Sequence, residues 1–166
     1  MGNTTELRRE LKRTFMPFLA AKGFTLNQRH APHFIDFYRT VDERVQFLEI
    51  QWEKYGKPRF AVNVGQVSTK GTICYGEHIE AKDVGPGQAP QYCRVYPNGN
   101  GSSTRHWFRQ DRPMISALLT RSRLYAPEVP IRQLLDLFNE IEEYWRSGQV
   151  GQHMFLTSNA WAKDAV

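Results

Sequence analysis

The chain is poor in cysteine, with Cys74 and Cys93 alone among 166 residues. This excludes a disulfide-stapled scaffold and the four-cysteine zinc folds, and both thiols are expected reduced and semi-buried. No apolar run reaches the ~18 residues of a membrane span, and the N-terminal stretch mixes charge with apolar residues where a signal peptide has an apolar core. No membrane association is expected, and a cytoplasmic location is. Gly2 invites comparison with a myristoylation signal, but Glu6 stands where Ser or Thr is required, so no lipid anchor is expected. Repeats, heptads and low-complexity runs are missing as well. The charge excess is small: 22 Lys and Arg against 17 Asp and Glu give a net +5, which permits a nucleic-acid partner without requiring one.

The composition that remains is that of a folded domain. Hydrophobic residues make up 40%, aromatics 13% and charged residues 23%, outside the low-hydrophobicity regime of disordered chains. The length fits a single domain, 1–166, which buries roughly 70% of its unfolded surface and needs no metal or disulfide to fold.

Leu7, Leu11, Phe15, Phe18 and Leu19 form one helical stripe opposite Arg8, Arg9, Lys12 and Arg13. The spacing predicts an amphipathic helix, disturbed at Pro17 and capped by Gly23. The pattern then changes to strands. FIDFYRTV and RVQFLEIQW flank a polar turn at Asp42 and Glu43, and RFAVNVGQV follows a turn at Gly56, which predicts an antiparallel meander. In the second strand Val45 and Phe47 point opposite to Leu48, Ile50 and Trp52, so either both faces are covered or a bulge intervenes. Residues 68–103, broken by glycine and proline, read as a long irregular loop with short edge strands, and residues 151–166 as a flexible tail. RHWFRQ at 105–110 reads as a strand. A short helix is predicted through MISALLTRSRL, with Met114, Ile115, Leu118 and Leu119 on one side. A longer one is predicted from Pro130, through Ile131, Leu134, Phe138, Ile141 and Trp145, to Gly148. The fold class is therefore α+β: an N-terminal helix, an antiparallel sheet of about four to six strands and C-terminal helices packed on one face.

The order of certain features is distinctive. Gly23-Phe24 closes the first helix, Gln51 lies on a strand, and Phe60-x-Val62-Asn63-Val64-Gly65, Cys93-Arg94 and Trp107-Phe108 follow. This order resembles the bacterial family catalogued as domain of unknown function 4304, over roughly residues 7–145. The resemblance implies an α+β domain and carries no established activity, so it assigns no catalytic residue. Residues 85–101 and 151–166 do not align with it.

Reactive groups are scattered. His30 with His33, and Cys74 with His78, have ligand-pair spacing, but no second tight pair completes a zinc site. No G-x-S-x-G elbow or phosphate-cradling loop occurs, and Cys93 has Arg94 beside it but no histidine signature. No catalytic residue, metal or cofactor is assigned. Arg105, Trp107 and Arg109 would share one strand face, with Arg94 on a neighbouring strand, and could hold a carboxylate, a phosphate or a stacked base. Asp136, Glu140 and Glu143 give the last helix an acidic face. The favoured reading is a non-enzymatic binding domain with a protein partner, of the antitoxin or immunity kind, docked on that acidic face. A nucleic-acid-binding domain using the Arg/Trp strand is the first alternative. An enzyme with a site assembled from dispersed residues around Cys93 is the second.

Overall fold

The computed structural model describes residues 4–27, 32–99, 106–112, 114–120 and 122–165. The first apolar stripe folds as α1 (Thr4–Glu10), a π-helical turn (Leu11–Phe15) and α2 (Met16–Ala21). Pro17 has no N–H and crowds the carbonyl four residues back, so the widened turn falls just before it. Leu7, Leu11, Phe15 and Leu19 are fully buried on one side throughout.

A seven-stranded antiparallel sheet follows in the order β1 (Thr25–Asn27), β2 (Phe34–Val41), β3 (Arg44–Trp52), β4 (Arg59–Ser68), β7 (Gln91–Val95), β9 (Met154–Ser158). The short β8 (Phe108–Arg109) pairs with the start of β4 beside this path. Asp42 and Glu43 make the two-residue hairpin turn, Asp42 taking φ 52°. The β2–β3 and β3–β4 ladders run without interruption, so there is no bulge.

Alternation then sorts the side chains onto two faces. Leu48, Ile50 and Trp52 of β3, with Phe60, Val62 and Val64 of β4, meet α1, α2, α4 (Glu128–Asp136) and α5 (Phe138–Ser147) in the main core. Phe138 sits edge-on to Phe18 at 4.8 Å, tying the last helix to the first. On the opposite face Val45, Phe47 and Val67 enter a second core with Ala81, Val84 and Ala89. Both faces of β3 are covered at that end, which resolves the mixed pattern of its sequence.

Five expectations are corrected. Residues 68–99, the described part of 68–103, carry the short strands expected there but are not otherwise a long irregular loop. They form β5 (Thr72–Cys74), β6 (Glu77–Ile79) and a 3-10 turn (Ala81–Asp83), all lying over the second core, and β7 lies between β4 and β9 inside the sheet. The tail is sheet too, because β9 pairs with β7 and β10 (Ala162–Asp164) pairs with β5. Both assignments depend on partners some 60 to 90 residues away, and local periodicity does not report such pairings. RHWFRQ contributes only the two residues of β8 among those described. The long final helix breaks at Leu137 into α4 and α5, and in α3 (Met114–Thr120) Leu118 and Leu119 face solvent. Among the described residues, no helix is long and apolar enough to cross a membrane.

Candidate functional site

The second core covers only part of the sheet face turned away from the helices. Beyond it, ladder register lines up one residue from each strand: Asp36 on β2, Glu49 on β3, Asn63 on β4, Arg94 on β7 and Phe155 on β9. The arrangement follows from the hairpins, since a two-residue turn at 42 and 43 sets Asp36 opposite Glu49.

The row is held by hydrogen bonds. Arg94 Nε donates to Asn63 Oδ1 and its Nη2 to Gln51 Oε1, both at 2.9 Å, while Asn63 Nδ2 donates to Glu49 Oε1 at 2.7 Å. Arg94 is therefore aimed by two neutral amides, which leave its charge unneutralised at these contacts. Asn63 is 1% exposed, so its orientation is fixed by packing as well. With residues 85–88 as a wall, the row lines a groove of about 330 Å³.

The groove continues past Phe34 and Gln51 into an aromatic pocket of about 480 Å³, lined also by His33, Tyr55, Arg59 and Trp107. The Arg59 guanidinium lies over the Trp107 ring, 4.9 Å from its centroid, and Trp107 stands 4.6 Å from His106. Glu53, 8% exposed, accepts the backbone N–H groups of Tyr55 (2.8 Å) and Lys57 (3.0 Å), which fixes the turn that carries Tyr55. The site thus combines a polar half, with two carboxylates and one guanidinium, and an aromatic half.

Of the expected Arg105, Trp107, Arg109 face, the structure describes Trp107 and Arg109. Trp107 precedes β8, Arg109 Nε donates to the Asp111 carbonyl at 2.9 Å and its guanidinium pairs with the Asp111 carboxylate, and Arg105 lies outside the described residues. Among the described residues, Arg59 is the cation at Trp107. Arg94 and Trp107 line two neighbouring pockets that share Phe34 and Gln51. Gln51, Asn63 and Arg94, all in the motifs of the family resemblance, converge on one hydrogen-bonded cluster. Asp36 and Glu49 went unnoticed in the sequence, although a lone carboxylate at mid-strand in each arm of a hairpin with a defined turn was the signal.

The acidic face of the last helix is largely occupied by pairs within the chain. Glu140 accepts from the His153 backbone N–H at 2.6 Å and pairs with its ring Nδ1 at 2.8 Å; Glu142 pairs with Arg39, and Glu143 with Arg146. The Arg146 hydrogen bond also lowers the pKa of Glu143. Asp136 stays exposed at the end of α4. The spaced pair Cys74 and His78 does not converge on a common point: the thiol of Cys74 faces the Gly87 carbonyl, whereas the ring of His78 bonds the Lys70 carbonyl at 2.7 Å. His30 lies outside the described residues. Among them, no group of three or more His, Cys, Asp or Glu side chains could hold a metal ion.

Cys93 is fully buried in the main core, and burial pushes its thiol up to about 11, against a weaker opposing hydrogen bond with Tyr144. The Tyr144 phenol is raised as well, chiefly by burial. Burial holds such a thiol neutral near pH 7, which weighs against it as a nucleophile. Native protein is expected to resist thiol reagents at Cys93 at pH 8 and to react there only once unfolded. Because the folded pKa lies above the ordinary value of 9.0, the stabilisation is intact below pH 9 and falls as pH rises from 9 to 11. Urea titrations at pH 8 and pH 10.5, with Cys93→Ala as control, would check this. A wild-type loss no larger than that of the control would assign the alkaline effect elsewhere. No family model, no curated protein and no solved structure matches the chain.

Proposed function

We propose that the chain is a protein-binding domain whose open sheet face receives an extended segment of its partner. The observation that carries this reading is the pre-oriented row Asp36, Glu49, Asn63, Arg94, continuous with the aromatic pocket at Trp107. Asp36 and Arg94 are separated by three strand spacings, about 14 Å, which is the reach of roughly four extended residues. A segment with an acidic group or carbonyl toward Arg94 and an aromatic or aliphatic side chain for the pocket matches this spacing and polarity. Arg and Trp set in a desolvated pocket are the residue types that dominate binding energy at protein interfaces. Membership of the domain of unknown function 4304 family belongs to the same proposal and names no ligand.

The test is site-specific photocrosslinking in the native cell from position 55 or 88, followed by mapping of the crosslinked peptide. A single protein partner is expected. Arg94→Ala and Trp107→Ala should each weaken its binding by about 10- to 100-fold, whereas Glu140→Lys and Glu143→Lys on α5 should not. Full binding by both groove variants, or adducts to nucleic acid alone, would refute the reading. Loss confined to the α5 variants would move the interface to the acidic helix.

A further inference from the structure

The main sheet has two outer edges, and they differ. β1 is three residues long, and its Asn27 side chain is committed to the Lys82 carbonyl at 2.8 Å. The outer strands of the small sheet carry charge: Glu77 on β6, Lys163 and Asp164 on β10. β9 has neither protection. The stretch GQHMFLTSN at 151–159 contains no Lys, Arg, Asp, Glu or Pro, the residues that normally keep edge strands from pairing. Phe155 is 52% exposed and Leu156 38%, and alternation puts them on opposite faces of the sheet.

The backbone of β9 has a donor and acceptor pattern of its own. The His153 carbonyl accepts from the Tyr96 N–H at 2.7 Å and the Asn159 N–H donates to the Pro90 carbonyl at 2.8 Å. Positions 153, 155, 157 and 159 therefore face β7, and Leu156 and Ser158 direct their N–H and C=O groups away from the sheet. Met154 has already committed its N–H to the Gly151 carbonyl at 3.2 Å, so at 154 the strand offers an acceptor alone.

We propose that β9 pairs antiparallel with β9 of a second copy of this chain, about a two-fold axis through Leu156, joining the two sheets into one. The pattern is self-complementary. Leu156 exchanges two hydrogen bonds with the partner's Leu156, and the Ser158 N–H meets the carbonyl of the partner's Met154, the acceptor left free there. Phe155 falls opposite the partner's Thr157 in a non-hydrogen-bonded pair, where side chains approach most closely. With no charged residue between 151 and 159, the two strands meet without repulsion. The groove beside Arg94 stays open, so this pairing is independent of the binding reading above.

Light scattering on the full-length chain should give twice the monomer mass. Leu156→Pro removes an N–H that points away from β7, a substitution edge strands tolerate; it should give a monomer with an unchanged circular dichroism spectrum. Leu156→Cys should crosslink two chains under mild oxidation. Ser158→Cys should not, because the two copies of that position lie about 14 Å apart in this register. Both native thiols, Cys74 and Cys93, are buried and do not compete. A monomeric mass at the highest soluble concentration, a dimer that survives Leu156→Pro, or equal crosslinking at 156 and 158 would overturn the proposal.

Discussion

Trp145→Ala should lower the unfolding free energy by about 3–5 kcal/mol, a large share of the roughly 5–15 kcal/mol that holds a typical domain together. Trp145 is 4% exposed and lies 5.4 Å from Phe24 and 6.1 Å from Phe138, so it joins the end of α2 to α5. The guanidinium of Arg39 rests 5.2 Å from its ring, and its Nε1 donates to the Gly65 carbonyl at 2.9 Å. Alanine leaves a cavity, an Arg39 whose guanidinium keeps only Phe24 beneath it, 4.5 Å away, and a Gly65 carbonyl without its side-chain donor. Trp145→Phe separates these contributions, since it keeps an apolar ring and loses the hydrogen bond, for about 1–3 kcal/mol. Urea denaturation followed by far-ultraviolet circular dichroism measures both. A loss below about 1 kcal/mol for the alanine variant, well under the usual cost of truncating a buried aromatic, would mean that α5 is not anchored through this residue.

The second large effect is expected at Gly71, in the turn that leads into β5. Its φ is +85°, and a Cβ there would sit 2.0 Å from the Ile79 carbonyl oxygen and 3.2 Å from the Ala81 nitrogen, both backbone atoms that cannot swing aside. The left-handed conformation costs an L-residue about 1–2 kcal/mol, and overpacking adds about 1–3 kcal/mol, so Gly71→Ala should destabilise by roughly 2–5 kcal/mol. Gly76→Ala is the internal control. Gly76 has φ +84° with nothing within 4 Å of the added Cβ, so it should show the conformational cost alone. Thermal or urea unfolding of the two variants reads the difference. Equal losses would indicate that the layer formed by β5 and β6 gives way instead of resisting.

That layer marks where the sequence stops being legible. The bounds of β2 and β3 and the turn between them follow from residue type and alternation alone, because an adjacent hairpin draws its hydrogen bonds from its own neighbour in the chain. The buried stripe Leu7, Leu11, Phe15, Leu19 and the αL cap at Gly148 were equally plain, each set by helical spacing or by a conformation that glycine favours. β7 and β9 were not. Each is five residues long and pairs with a strand distant in sequence, so QYCRV read only as a short edge strand and MFLTS as part of a flexible tail.

The same distinction governs the groove. Arg94 and Trp107 stood out as a cation and an aromatic of binding type, and Asp36 opposite Glu49 was implicit in the hairpin. That Asn63 and Gln51 would aim Arg94, and that Arg59 would lie against Trp107, depended on β7 docking along β4 and β8 pairing at its end.

Composition and periodicity by themselves determined an α+β chain with a basic, amphipathic first helix and an antiparallel sheet, since those features come from contacts within one turn or one hairpin. The tertiary structure alone decided which strands lie inside the sheet, which face stays open and which charges on the last helix are consumed by pairs. Those outcomes depend on segments tens of residues apart meeting in one register, and no local pattern encodes that meeting.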